Sequence, residues 1–283
     1  MSAQILDGRT IARTMRREIA ERAAAFSAQA GRQATIAVVQ VAADPSSVAY
    51  VRQIEKSFVG AGMGFGLHSL PEACTADELT GLIRQLNADV GVDGVIVQMP
   101  LPKHLPQSLV ADLLDPAKDV DGITSLNTGR LMQGLGDYFA PATPAGGMEL
   151  LRRYQIPLRG KRAVLVGRSN VVGRPMALLL LHQNATVTIC HSHTAELSEL
   201  TRQADVLVAA IGKAGMITAD MVKPGAVVID FGVNMVGDRM LGDVESEGVA
   251  QVAGYLTPVP GGTGPMTNVM LMLNTLMAAE RLL

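Results

Sequence analysis

Apolar, β-rich runs alternate with helical periodicities along almost the whole chain. Residues 34–41 (ATIAVVQV), 64–70 (GFGLHSL) and 92–100 (VDGVIVQMP) read as strands. A long amphipathic helix precedes them over residues 8–27, and another helix opens at Thr75, where Glu78 three residues on completes a capping-box signature. A second series follows at 162–167 (RAVLVG), 185–191 (ATVTICH), 204–212 (ADVLVAAIG) and 225–232 (GAVVIDFG). These runs are continuously apolar, the pattern expected of strands covered on both faces in a parallel sheet. Two successive α/β layers fit the pattern better than one large sheet. Between the two series, residues 118–147 are rich in Gly, Pro and Asp, as a linker or as loops lining a cleft between domains. Residues 266–283 form a helix too apolar to hang free, so it is expected to pack back onto the protein.

Composition narrows this picture. A length of 283 residues holds two modest domains. With 3% aromatics, no Trp and 15 Met, the core must be aliphatic, with methionines filling its gaps. The net charge of −2 comes with no basic stripe interleaved with aromatics, which argues against a nucleic-acid binder. Apolar runs such as 176–181 (MALLLL) are too short to span a bilayer, and the N-terminus lacks the basic-then-apolar order of a signal peptide. Cys74 and Cys190 make neither a disulfide framework nor a metal-ligand spacing, and the five histidines give no metal spacing either. A reduced, cytoplasmic protein without a metal is the expectation.

Residues 164–176 (VLVGRSNVVGRPM) carry candidate chemistry: a strand, a glycine turn, then a helix with Pro175 in its first turn. Free N–H groups beside glycines suit a pyrophosphate, although Gly167 and Gly173 do not make the G-x-G-x-x-G pattern, and an ordinary tight turn reads the same way. The next strand ends CHSHT, with His191 and Ser192 where an NAD site carries an acid for the ribose 2′-hydroxyl. Together with Arg168, a planar fork of donors, this favours a 2′-phosphate and hence NADP over NAD.

Taken together, the segments 44–51 (DPSSVAYV), 95–102 (VIVQMPLP), 118–122 (KDVDG), 143–146 (TPAG), 166–175 (VGRSNVVGRP) and 257–267 (TPVPGGTGPMT) resemble the methylenetetrahydrofolate dehydrogenase/cyclohydrolase family, in its order and spacing. The resemblance implies an α/β fold: an N-terminal α/β folate domain, residues 1–142, completed by the C-terminal helix 266–283, plus a Rossmann-type NADP-binding domain over 143–265. It implies a folate in the cleft, a homodimer, and oxidation of 5,10-methylenetetrahydrofolate to the 5,10-methenyl form with hydride passed to NADP⁺. In bifunctional members a cyclohydrolase step then opens the methenyl ring. By the resemblance, Tyr50 packs against the folate, Gln98 lies beside the reacting carbon and Asp121 reads the pterin edge, its carboxylate accepting adjacent donors in pairs. Pro260, Gly261 and Gly264 wall the folate. Gly167, Arg168, Ser169, His191 and Ser192 form the cofactor loop, and Val233 lies at the nicotinamide end.

One departure matters. The family pattern Tyr-x-x-x-Lys reads Tyr50-Val-Arg-Gln-Ile54 here. At ~100° per helical residue, Ile54 lies about 40° from Tyr50 and inherits the lysine's place among the substrate contacts, whereas Lys56 is rotated by about 240°. Gln53 is closer, but an amide is not a useful base. Hydride transfer needs positioning more than a lysine, whereas hydrolysis needs an activated water. A dehydrogenase with weak or absent cyclohydrolase activity is therefore expected; the alternatives are a fully bifunctional enzyme and a non-catalytic folate- or NADP-binding relative. Smaller departures are Ala42 where a glycine is common and Ala142 where a cysteine is common.

Overall fold

The computed structural model describes residues 2–42 and 45–283, and the chain divides into two compact units. Asp44, the first residue of the DPSSVAYV segment, lies outside the described residues. One unit comprises Thr14–Ala142 with Asn268–Leu283; the other comprises Met1–Arg13 with Thr143–Thr267. One division falls at 142/143, and the first thirteen residues group with the second unit rather than with 14–142. The reason is a short strand, β1 (Gln4–Ile5), that pairs in parallel with β11 (Tyr255–Leu256), and Leu6 beside it is fully buried.

The first unit holds most of α1 (Gly8–Ala30), then β2 (Thr35–Val41), α2 (Pro45–Gly60), β3 (Gly64–Leu70), α3 (Ala76–Ala88), β4 (Gly94–Val97), α4 (Ser108–Leu113) and α5 (Ser125–Gln133). Its three strands form a parallel sheet in the order β3-β2-β4. Thr75 caps α3 through the capping box its spacing announced, with Thr75 Oγ1 accepting from Glu78 N and the Glu78 carboxylate accepting from Thr75 N. Leu79, Ile83 and Leu86 then turn one face of α3 into the core. The interval 118–147 is no plain linker: it carries α5 and the start of α6 (Ala142–Arg153). The final helix α10 (Gly264–Glu280) buries Val269, Leu271, Met272 and Leu276 completely. At about 1.5–3 kcal/mol per buried aliphatic side chain, that explains why it packs instead of fraying.

The second unit contains β5 (Arg162–Val166), α7 (Gly173–His182), β6 (Thr186–Cys190), α8 (Leu197–Thr201), β7 (Val206–Ala209), β8 (Val227–Asp230), the antiparallel hairpin β9 (Asn234–Val236) and β10 (Arg239–Leu241), and α9 (Ser246–Val252). Its sheet is all parallel, in the order β1-β11-β8-β7-β5-β6. β7 and β8 are buried throughout, as their continuous apolar runs required. β6 is an edge strand and is half-exposed, so an apolar run did not guarantee two covered faces.

Candidate functional site

In the first unit, Val51, Ile54 and Phe58 form the inward stripe of α2 at helical spacing, each 3% exposed or less. Ile54 has no exposed surface at all, so the candidate substrate contact inferred from its position is instead a core residue and presents no face to a ligand. Lys56 and Gln53 are exposed. Tyr50 is half-buried; burial first, and then the nearby Asp121 charge, push its hydroxyl above the ordinary tyrosine range. The influence of Asp121 on Tyr50 puts these two expected residues in one neighbourhood. Gln98 sits at the C-terminal end of β4, half-buried, with its N–H donating to Val39 O at 2.9 Å. Ala42, at the end of β2, has φ 57°, a left-handed conformation that glycine adopts without strain.

Asp121 is held by a turn that Asp119 builds. The fully buried Asp119 accepts from Ile123 N (3.0 Å), Thr124 N (2.8 Å) and Asn127 Nδ2 (2.8 Å). Asn274 of α10 donates to Val120 O at 2.8 Å and Ala140 O at 3.4 Å, tying the two segments that flank Asp121. Asp121 itself accepts from Ala142 N at 3.3 Å. Burial pushes its carboxyl up to about 7; the Ala142 N–H opposes the shift and the neighbouring Asp119 charge adds to it. A carboxyl short of donors and poised near neutrality can accept from a ligand that brings its own N–H groups. Sequence reasoning passed over Asp119 and Asn274. The signals were present as a second carboxylate in KDVDG and a polar position inside an apolar helix.

In the second unit the chain leaves β5 through Gly167, whose φ of 130° and close approach to Ala210 O leave no room for a Cβ. A Cβ at Gly173 would likewise strike Gly167 O, so α7 starts directly against the turn. Ser169 caps that start, its Oγ accepting from Val172 N and Gly173 N at 3.2 and 3.3 Å. Arg168 and Ser192 are exposed, and His191 is half-buried. His191 Nδ1 accepts from His193 N at 3.2 Å, which leaves Nε2 to donate. Val233, an apolar side chain 62% exposed, follows β8. Pro260 and Gly261 lie in the loop between β11 and α10, where Gly261 has φ 116° and packs against the Arg9 guanidinium, and Gly264 is the first residue of α10.

The chain passes from β5 to β6 on one side and then returns to β7 on the other, so the strand order reverses beside Gly167. Crevices at such switch points, outside the carboxyl ends of parallel strands, take dinucleotides. The fold and turn thus define an α/β protein of the dinucleotide-binding class. Residues 6–121 match the family description "Tetrahydrofolate dehydrogenase/cyclohydrolase, catalytic domain", and residues 141–283 match its "NAD(P)-binding domain". The bifunctional protein FolD of Herpetosiphon aurantiacus is 52% identical over 283 residues, 100% of this chain and 99% of that protein. The crystal structure of the bifunctional enzyme FolD from Campylobacter jejuni superposes with a TM-score of 0.98 at 41% identity, covering 100% of both chains. That of Trypanosoma brucei methylenetetrahydrofolate dehydrogenase-cyclohydrolase, complexed with NADP cofactor and inhibitor, gives 0.96 at 33% identity over 99% of this chain and 98% of that one. The chain belongs to the tetrahydrofolate dehydrogenase/cyclohydrolase family. Among the described residues no helix is long and apolar enough to cross a membrane.

Proposed function

We propose that the protein oxidises 5,10-methylenetetrahydrofolate to 5,10-methenyltetrahydrofolate with NADP⁺ as hydride acceptor. The observation that carries the reading is the set of exposed Arg168 and Ser192 with His191 beside the glycine turn, and no carboxylate at the end of β6, in a chain of this family. Bound there, NADP⁺ supplies the hydride chemistry. The protein supplies position: Arg168 and His191 Nε2 donate to the 2′-phosphate, and the turn at Gly167 and Gly173, free of Cβ atoms, lets the pyrophosphate approach the backbone. Asp121 accepts the adjacent N–H donors of the pterin, Tyr50 packs on its ring, and Gln98 orients the reacting carbon. NADP⁺ should exceed NAD⁺ in kcat/KM by about tenfold or more, roughly 1.4 kcal/mol. Equal efficiency with the two would remove the basis of the cofactor assignment.

For the second activity the two lines of support diverge. The relatives are named bifunctional, at 52% identity over the whole chain and at 41% with near-identical folds, and this favours the bifunctional reading over the weak hydrolase expected from residue 54. If hydrolysis occurs, its base is a group other than residue 54, because Ile54 has no proton to move and is buried. Following methenyltetrahydrofolate decay with and without enzyme decides the matter. Decay as fast as formation supports the bifunctional enzyme; decay at the buffer rate, about 10²–10⁴ below a base-assisted step, supports the monofunctional one.

A further inference from the structure

We propose that Asp243 is a positioning residue for the dinucleotide site, acting through the loop that follows β7. Its side chain has no exposed surface, yet among the described residues it meets no cation. Instead its carboxylate gathers three consecutive backbone donors, Ile211 N, Gly212 N and Lys213 N, at 2.5, 3.0 and 2.9 Å. It also accepts from Asn234 Nδ2 at 2.9 Å. Consecutive N–H groups pointing into one concavity make an anion nest, and here a side chain of the protein fills it.

The place of that loop makes the contact matter. It begins at Ala210, whose carbonyl lies where a Cβ on Gly167 would sit and whose N–H donates to Val166 O at 2.9 Å. The loop after β7 and the glycine turn after β5 are therefore the two sides of the switch-point crevice. Asn234 follows Val233, so the same carboxylate also ties down the segment after β8.

Asp243 is itself fixed from below. Asp230 Oδ1 accepts from Asp243 N at 3.1 Å and from Gly232 N at 2.7 Å, and Asp230 Oδ2 accepts from Val244 N at 2.9 Å. Glycines close the arrangement: a Cβ at Gly232 would strike Asp243, and one at Gly242 would strike Asp230. Three loops that would otherwise move independently thus share one buried anchor, and a preorganised site loses less on binding its ligand.

This inference rests on the NADP reading above. The test is NADP⁺ affinity by titration together with steady-state kinetics for the parent, Asp243→Asn and Asn234→Ala. Asn keeps the shape of Asp243 but turns an NH₂ toward backbone N–H groups. The expected result is an NADP⁺ Kd about tenfold higher for Asp243→Asn and about twofold to fivefold higher for Asn234→Ala. Folate KM and kcat at saturating NADP⁺ should stay within twofold of the parent, a split that a general loss of fold would not produce. A folded Asp243→Asn protein with unchanged NADP⁺ affinity, or one that weakens folate and cofactor alike, overturns the proposal. Should Asp243→Asn fail to fold, an unchanged NADP⁺ affinity in Asn234→Ala overturns it in the same way. A parent that binds no NADP⁺ overturns the cofactor reading and this inference together, whereas a parent that binds with unaffected variants overturns this inference alone.

Discussion

Two regions of the molecule treat a pair of neighbouring carboxylates differently. Among the described residues, in the turn 119–124 of the first unit, Asp119 takes three donors and Asp121 takes one. In the segment 230–243 of the second unit, Asp243 takes four donors and Asp230 takes three. Burial pushes Asp121 to about 7, against one N–H; it pushes Asp230 only to about 6, where three N–H groups oppose it. The lesson is one of counting. A carboxylate whose lone pairs are filled by the protein is scaffold. One left short of donors stays available to a ligand, and its charge becomes sensitive to pH near neutrality.

The largest effect is expected at Asp119, whose lone pairs the protein itself fills. Asp119→Ala strands three donors in a dry site, at about 1–3 kcal/mol for each unsatisfied group before relaxation. Urea unfolding should show a loss of about 3 kcal/mol or more; a smaller loss would mean water replaces the carboxylate. Asp121→Asn should do the opposite, leaving stability nearly intact while raising the folate KM about 5-fold to 150-fold, the equivalent of about 1–3 kcal/mol, and sparing the NADP⁺ KM. In the parent, the folate KM should rise as pH falls through about 7, because the protonated carboxyl no longer accepts two donors. That pH dependence should vanish in the variant, and its persistence would assign the titration to another group.

A smaller effect separates Asp230. Its folded pKa lies above its ordinary value of 3.8, so it contributes stability that is complete below about 3.8 and is lost as pH rises through about 6. Between pH 5 and pH 8 the parent should lose about 1.4 kcal/mol relative to Asp230→Asn, measured as the change in their unfolding midpoints. A gap that stays constant with pH would show that the carboxyl titrates alike in folded and unfolded chains. The smallest effect belongs to an exposed control: Thr75→Ala, which removes a capping box open to water, should cost about 1 kcal/mol.

The elements themselves were legible because their causes are local. Thr75 and Glu78 sit three residues apart and cap α3; the runs around β2, β3, β5 and β8 became strands within a residue or two of where their apolar patterns lie. The glycine turn was legible too, since a backbone that must pass Ala210 O tolerates no Cβ at Gly167. Strands of two or three residues, such as β1, β9, β10 and β11, carry too few positions for a period-2 pattern and were not seen.

The sequence by itself determined the class of protein, the order of its elements and the replacement of a lysine by Ile54, because each is written in residue identity and spacing. Only the tertiary structure decided that Ile54 faces the core, that the first thirteen residues join the second unit, and which carboxylate of each pair is filled. The last of these depends on how many N–H groups arrive from residues far along the chain, such as Ala142 at Asp121 or Ile211 at Asp243. Spacing along a sequence carries no record of donors that only folding brings together.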